Sequence, residues 1–257
     1  MKALAFLLAP AIANAAPCEN TLVDPIATPL RESDEQRGAC LRDELSIELT
    51  SHALIDEPNF HGVIGGDLAL GGRFLVRENV ELGARLRLVD YTFVQTAVNK
   101  VTATRFGPLA IGATLAIDPS LSLVAIMEVP FTRDEMDTLH TSGQLALAFT
   151  TALADRWTLH ARLGGVFAYA SSAGGDQHRI APRAGTDLVW HPGRRIALHA
   201  GADVEGGWRD GLGTVLARAG IAIRIGGTHR IVLAAGVPLA GDEPTTLIAT
   251  ITAGREF

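Results

Sequence analysis

Arginine and carboxylate side chains recur at alternate positions along much of this 257-residue chain. Arg85 and Arg87, Glu128, Arg162, Arg179, Arg183 and Asp187, Asp203 and Glu205, Arg218 and Arg224 all fall on the polar parity of short alternating segments. Side chains two apart on a strand point to the same face. Guanidinium groups are planar, always charged and shaped to meet carboxylates and other anions. Two uses follow. Arginine–carboxylate networks can fill and stiffen an interior, or Arg162, Arg179, Arg183, Arg218 and Arg224 can form a cationic track that guides anionic solutes. Asp203 and Glu205 share a face and could ligate calcium, but pairing with Arg183 or Arg218 is the simpler use of their charge.

Nucleophilic chemistry has one weak candidate. His140-Thr141-Ser142 puts a base and a hydroxyl two residues apart on one strand face, the arrangement that ester hydrolysis needs. The pair shares parity with Gln144, Ala146 and Ala148, while Leu145, Leu147 and Phe149 take the other face. Any serine two residues from a histidine would match, so no catalytic residue is assigned. The chain contains no H-E-x-x-H, no G-x-S-x-G and no P-loop. Neither a metal site nor a cofactor is expected. A formal net charge of −6 leaves no nucleic-acid footprint.

The N-terminus carries a targeting pattern. Met1-Lys2 precedes an apolar run from Ala3 to Ala13, and Ala13-Asn14-Ala15 offers a small-residue cleavage site. Residues 1–15 are therefore expected to be a secretory signal peptide, followed by a polar, proline-containing extension over 16–42. Cys18 and Cys40 both lie in that extension, and an oxidising compartment favours a disulfide between them over two free thiols.

From Glu44 onward the hydrophobic period is two. Glu44-Leu45-Ser46-Ile47-Glu48-Leu49, Glu81-Leu82-Gly83-Ala84-Arg85-Leu86-Arg87-Leu88 and Thr158-Leu159-His160-Ala161-Arg162-Leu163 each show one apolar and one polar or small face. About twelve segments are predicted, near 44–55, 63–76, 80–93, 102–117, 121–131, 142–153, 157–170, 178–190, 195–209, 213–225, 230–238 and 245–257. Their lengths suit strands tilted across a bilayer, which need roughly 9–11 residues. Short turns at 77–79, 118–120, 154–156, 191–193 and 226–228 alternate with mostly longer connections at the other end. Trp157 and Trp190 flank short turns, whereas Tyr91, Tyr169 and Trp208 sit toward the loop ends, as two interfacial aromatic girdles would require.

With these features in place, the chain resembles the Gram-negative outer-membrane β-barrels, including their small porin-like members. Its last alternating strand, ending at Phe257, is similar to their C-terminal assembly signal. Arg255 departs from that pattern. The resemblance covers residues 43–257 and implies an all-β fold: a closed, antiparallel, up-and-down transmembrane barrel of about twelve strands. It implies outer-membrane lipids and the barrel-assembly machinery as partners. The arginines and carboxylates named above would then line the lumen. The function expected on these grounds is a narrow passive channel for small, anionic solutes. The alternatives are a non-conducting surface barrel and an outer-membrane lipid hydrolase using His140 and Ser142.

Overall fold

The computed structural model describes residues 43–56, 61–95, 100–131, 139–172, 175–206, 212–226, 228–241 and 246–257. The expected signal peptide and 16–42 extension, with Cys18 and Cys40, and Trp208 lie outside these residues.

Alternation of apolar with polar or small residues gives strands throughout: β1 (Glu44–Asp56), β2 (His61–Arg77), β3 (Val80–Gln95), β4 (Lys100–Arg105), β5 (Leu109–Asp118), β6 (Leu121–Val129), β7 (Leu139–Ala154), β8 (Trp157–Ser172), β9 (Gly175–Gly193), β10 (Ile196–Gly206), β11 (Leu212–Ile225), β12 (His229–Gly241) and β13 (Thr246–Glu256). Each pairs antiparallel with its neighbours. β1 lies between β2 and β13, and β2 also pairs with β3, so the sheet closes on itself. Closure leaves β1, β2 and β13 paired on both sides, as a sheet in hydrocarbon requires of its strand edges.

The thirteen strands occupy twelve wall positions, because β4 and β5 both pair with β3. They are two halves of the single strand expected over 102–117. The break falls at Phe106-Gly107-Pro108. Pro108 has no N–H to give a ladder, and the Arg87 side chain lies where a Cβ on residue 107 would sit, so only glycine fits. Arg87 bridges the gap: its N–H donates to the Pro108 carbonyl at 3.3 Å, and its carbonyl accepts from the Gly107 N–H at 3.1 Å.

Two-residue turns at 78–79, 119–120, 155–156 and 194–195 define one end of the barrel. At one of them Asp118 accepts from the Ser120 hydroxyl at 2.8 Å and the Ser120 N–H at 2.7 Å. These bonds, the hydroxyl's first, hold its carboxyl below the ordinary value. Most connections at the opposite end are longer. Residues 171–172 and 175–177, left outside the expected strands, belong to the sheet: Ser172 pairs with Gly175, whose φ is 117°.

The two parities face different media. Leu163 is 66% exposed and the preceding Arg162 is 7% exposed; Leu145 is 57% exposed and Ala146 2%. Exposed leucines, isoleucines and valines recur around the wall, from Leu45, Ile47 and Leu49 to Leu247 and Ile251. Charged and small residues occupy the inside. Trp157 and Trp190 pair in register and stack at 6.1 Å near the turn end, while Tyr91, Phe106 and Phe131 are exposed near the loop end. Tyr169 sits near the loop end of β8, in register with Thr141 and His178. Arg255 lies 5.3 Å over the Phe257 ring at the turn end.

Candidate functional site

The interior is built from two charged walls on opposite sides of the ring, with a neutral seam between them. The first wall belongs to β1–β4. At the turn end, Glu44 accepts from Arg73 and from Arg230, the latter at 2.7 and 3.0 Å. Higher up, charges alternate in a ladder. Glu48 pairs with Arg85, Arg85 also meets Asp67 at 3.3 Å, and Asp67 meets Arg87 at 3.6 Å. Arg87 reaches Asp90 at 3.4 Å, and Asp90 accepts from Arg105 at 3.3 Å. Asp90 breaks the parity of Arg85 and Arg87. A bulge explains it: Leu68 pairs with Val89 and Ala69 with Arg87, so Leu88 is an extra residue and the strand changes phase.

The second wall belongs to β8–β11. Arg218 grips Asp187 with two nitrogens, its Nε donating at 2.9 Å, and also donates to Asp203. Arg162 donates to the other oxygen of Asp203 at 2.9 Å. All four are buried. Toward the loop end Arg179 pairs with Glu205 at 3.1 Å and donates to the Gly206 carbonyl at 3.3 Å. Arg183 is buried between these levels, on the parity of Arg179 and Asp187. Arg224 lies at the turn end in register with Arg230. A bare cationic track over Arg162, Arg179 and Arg218 is therefore corrected to a set of ion pairs. Asp203 and Glu205 serve as their partners.

The pairing is a strong positional constraint. Breaking one member of a buried ion pair leaves an uncompensated charge and costs about 3–5 kcal/mol, although replacing the whole group with apolar residues is often neutral. Space for these contacts is also reserved by the backbone. A Cβ on Gly201 would overlap the Asp187 carboxylate and the Thr186 carbonyl.

Between the walls, β5–β7 turn apolar and uncharged groups inward below Glu128. Ala110, Val124, Ile126 and Ala148 form one buried cluster, with Ala146, Thr114, Ser122 and Thr150 on the same face. Sequence reading missed this seam. Leu121-Ser122-Leu123-Val124-Ala125-Ile126-Met127 is apolar on both parities, so alternation gave no way to tell its inner face. On the far side Val189, Ala197, Ala222 and Val232 form a second inward cluster.

At the loop end of the seam, β6–β9 enclose a cavity of about 500 Å³. Its lining includes Glu128, His140, Ser142, Ala168, Ala170 and Arg179. Ser142 Oγ donates to Glu128 Oε2 at 2.9 Å, and Thr141 Oγ1 donates to the Glu128 carbonyl at 2.5 Å. The Ser142 hydroxyl thus engages a carboxylate across the strand pair.

A closed antiparallel ring with an oily exterior, an ion-paired interior and aromatic side chains at both rims defines an outer-membrane β-barrel. The chain belongs to the family described as "Putative MetA-pathway of phenol degradation", which matches residues 42–208. No curated protein matches it. Among solved structures it is similar to an outer membrane channel from Pseudomonas putida F1, at 14% identity and a TM-score of 0.65, over 91% of this chain and 100% of that one. It is also similar to the translocator domain of the autotransporter NalP from Neisseria meningitidis, at 13% identity and a TM-score of 0.63, over 84% and 88%. A mutant of TodX, a monoaromatic hydrocarbon channel, aligns at 10% identity and a TM-score of 0.51, over 84% and 91%. At these identities the likeness concerns the fold.

Proposed function

We propose that this barrel is a passive outer-membrane channel for small, uncharged aromatic solutes. The observation that carries the reading is the inward seam of Ala110, Val124, Ile126 and Ala148 running down from the loop-end cavity. An apolar solute gains by contact with such a surface, at roughly 25 cal/mol per Å² removed from water. A charged solute would have to compete for arginines that already hold carboxylates. Anion conduction therefore gives way to the apolar reading, in agreement with the phenol-degradation description of the family and the hydrocarbon channel among the similar folds. The seam is buried, so a passing solute must part its side chains. Phe257 and its strand serve as the signal read during assembly.

The test is uptake by vesicles whose outer leaflet is lipopolysaccharide, which slows unassisted entry of apolar solutes. Purified barrel is expected to raise toluene and phenol uptake over barrel-free vesicles and to leave benzoate uptake near background. Anion flux without aromatic flux would overturn the reading. A lipid hydrolase would instead release fatty acid from the same vesicles, and Ser142→Ala would abolish that release.

A further inference from the structure

The turn end of the barrel is charged unevenly. The turn between β7 and β8 is Asp155-Arg156, and the one between β9 and β10 is Arg194-Arg195. On the far side of the ring the β2–β3 turn is Glu78-Asn79, preceded by Arg77, and the β5–β6 turn is Pro119-Ser120, preceded by Asp118. Arg156, Arg194 and Arg195 are all exposed. Among the described residues no carboxylate pairs with any of the three, whereas Arg162, Arg179 and Arg218 inside the barrel each hold one.

The backbone fixes where these charges stand. The His191 N–H donates to the Arg156 carbonyl and the Arg224 N–H to the Arg195 carbonyl, both at 2.8 Å. Each arginine-bearing turn is thus tied to the next strand of the ring. The residue after each turn faces lipid: Trp157 and Ile196 are both 40% exposed. Trp157 stacks on Trp190 at 6.1 Å. Tryptophan rings settle at the headgroup level of a membrane, which places the neighbouring arginines at the depth of lipid phosphates. A guanidinium fork meets phosphate oxygens two at a time. The short turns of such barrels face the periplasm, so the lipid within reach belongs to the phospholipid leaflet and not to the lipopolysaccharide leaflet at the loop end.

We propose that the β7–β8 and β9–β10 turns form a seat for an anionic glycerophospholipid of the periplasmic leaflet, its headgroup taken by Arg156, Arg194 and Arg195 and its acyl chains lying against Trp157 and Trp190. A zwitterionic headgroup would set its ammonium among three guanidinium groups, with Asp155 the one carboxylate of these turns to receive it. A soluble phosphate would meet the arginines and leave the tryptophan pair uncovered. The seat lies under the strands that carry the Arg162–Asp203–Arg218–Asp187 cluster, so it would hold the rigid side of the ring at a fixed depth. The inference does not depend on which solute the channel carries.

The experiment uses the tryptophan pair as its reporter. Full-length protein carrying Trp208→Phe, whose emission comes from Trp157 and Trp190 alone, is reconstituted into phosphatidylcholine vesicles. Phosphatidylglycerol, phosphatidylethanolamine or phosphatidylcholine with brominated acyl chains is then added in rising proportion, and quenching is read. Brominated phosphatidylglycerol is expected to reach half-quenching at about a fivefold lower mole fraction than the other two, in the range that a basic residue near an anionic surface supplies. Arg156→Gln, Arg194→Gln and Arg195→Gln combined should abolish the preference, and Arg194→Gln alone should reduce it. Arg77→Gln, which removes a charge from the opposite turn, should leave it intact. Heat-modifiable mobility in gels confirms that each variant has folded, and the single variant carries the test if the combined one does not fold. The proposal is overturned by equal quenching by all three lipids, by phosphatidylethanolamine matching phosphatidylglycerol, by a preference that survives in the arginine variants, or by its equal loss in Arg77→Gln. Glycerol phosphate displacing the brominated lipid would also overturn it, since the arginines would then be reading a soluble anion.

Discussion

The β8–β11 wall and the β5–β7 seam face the same lumen, yet they are held together in opposite ways. In the wall, Asp203 lies between Arg162 and Arg218, and Arg218 also grips Asp187. Each charge has a fixed address set by strand register. In the seam, Ala110, Val124, Ile126 and Ala148 meet through contacts that have no direction. Ion pairs out of water are expensive to break singly, whereas apolar contacts are lost in small increments. The contrast suggests a division of labour. The charged walls keep the ring rigid, and the neutral seam is the part of the lining that can yield to a solute.

The largest expected effect comes from the wall. Asp203→Ala strands Arg162 and Arg218 and should lower stability by about 3–5 kcal/mol, read as the shift in urea-induced unfolding in lipid bilayers. Replacing Arg162, Asp203, Arg218 and Asp187 together with methionine and leucine should recover most of that loss; failure to recover would mean that the cluster supplies net stability instead of only avoiding a stranded charge.

The next effect comes from the seam and concerns transport. Ile126→Asp places an unpaired carboxylate on the inward path, and aromatic uptake into lipopolysaccharide vesicles should fall about tenfold, the factor that ~1.4 kcal/mol represents. Unchanged uptake would show that solutes travel elsewhere. A milder change, Ile126→Val, should cost about 0.5–1.5 kcal/mol in the same unfolding assay. If it costs as much as Asp203→Ala, the seam is no softer than the wall and the comparison fails. The smallest effect on transport is expected at the rim, where Trp157→Ala removes a stacked neighbour from Trp190. It should cost about 0.5–1.5 kcal/mol beyond its lost area and leave uptake unaltered.

The ring itself was legible in the sequence because period-two alternation is a local signal. Leu45 to Leu49 and Thr158 to Leu163 needed no partner to declare their faces. Four features were harder to read. Asp90 lies on the lipid parity when counted from Arg87, and only the extra residue at Leu88 turns it inward. The interruption at Gly107 and Pro108 was written in residue types hostile to a ladder, but the flanking pattern carried the reading straight through 102–117. The ion pairs were the least accessible, because register joins Asp187 to Arg218 across 31 residues and Glu44 to Arg230 across 186. Charge and parity could nominate these side chains, and only the closed sheet could match them. The apolar seam stayed hidden because in β6 both parities are oily.

Glu44 opens the first strand, and one of its two cationic contacts, Arg230, is made near the end of synthesis. Loop closure over such a span is entropically unfavourable and slow to repay. The clasp therefore cannot drive early folding; it can act only as a late fastener, engaged once the last two strands have reached the first. A chain circularly permuted to begin at β12 would shorten the span between Arg230 and Glu44, bring that final step forward, and speed ring closure while keeping the ion pair itself.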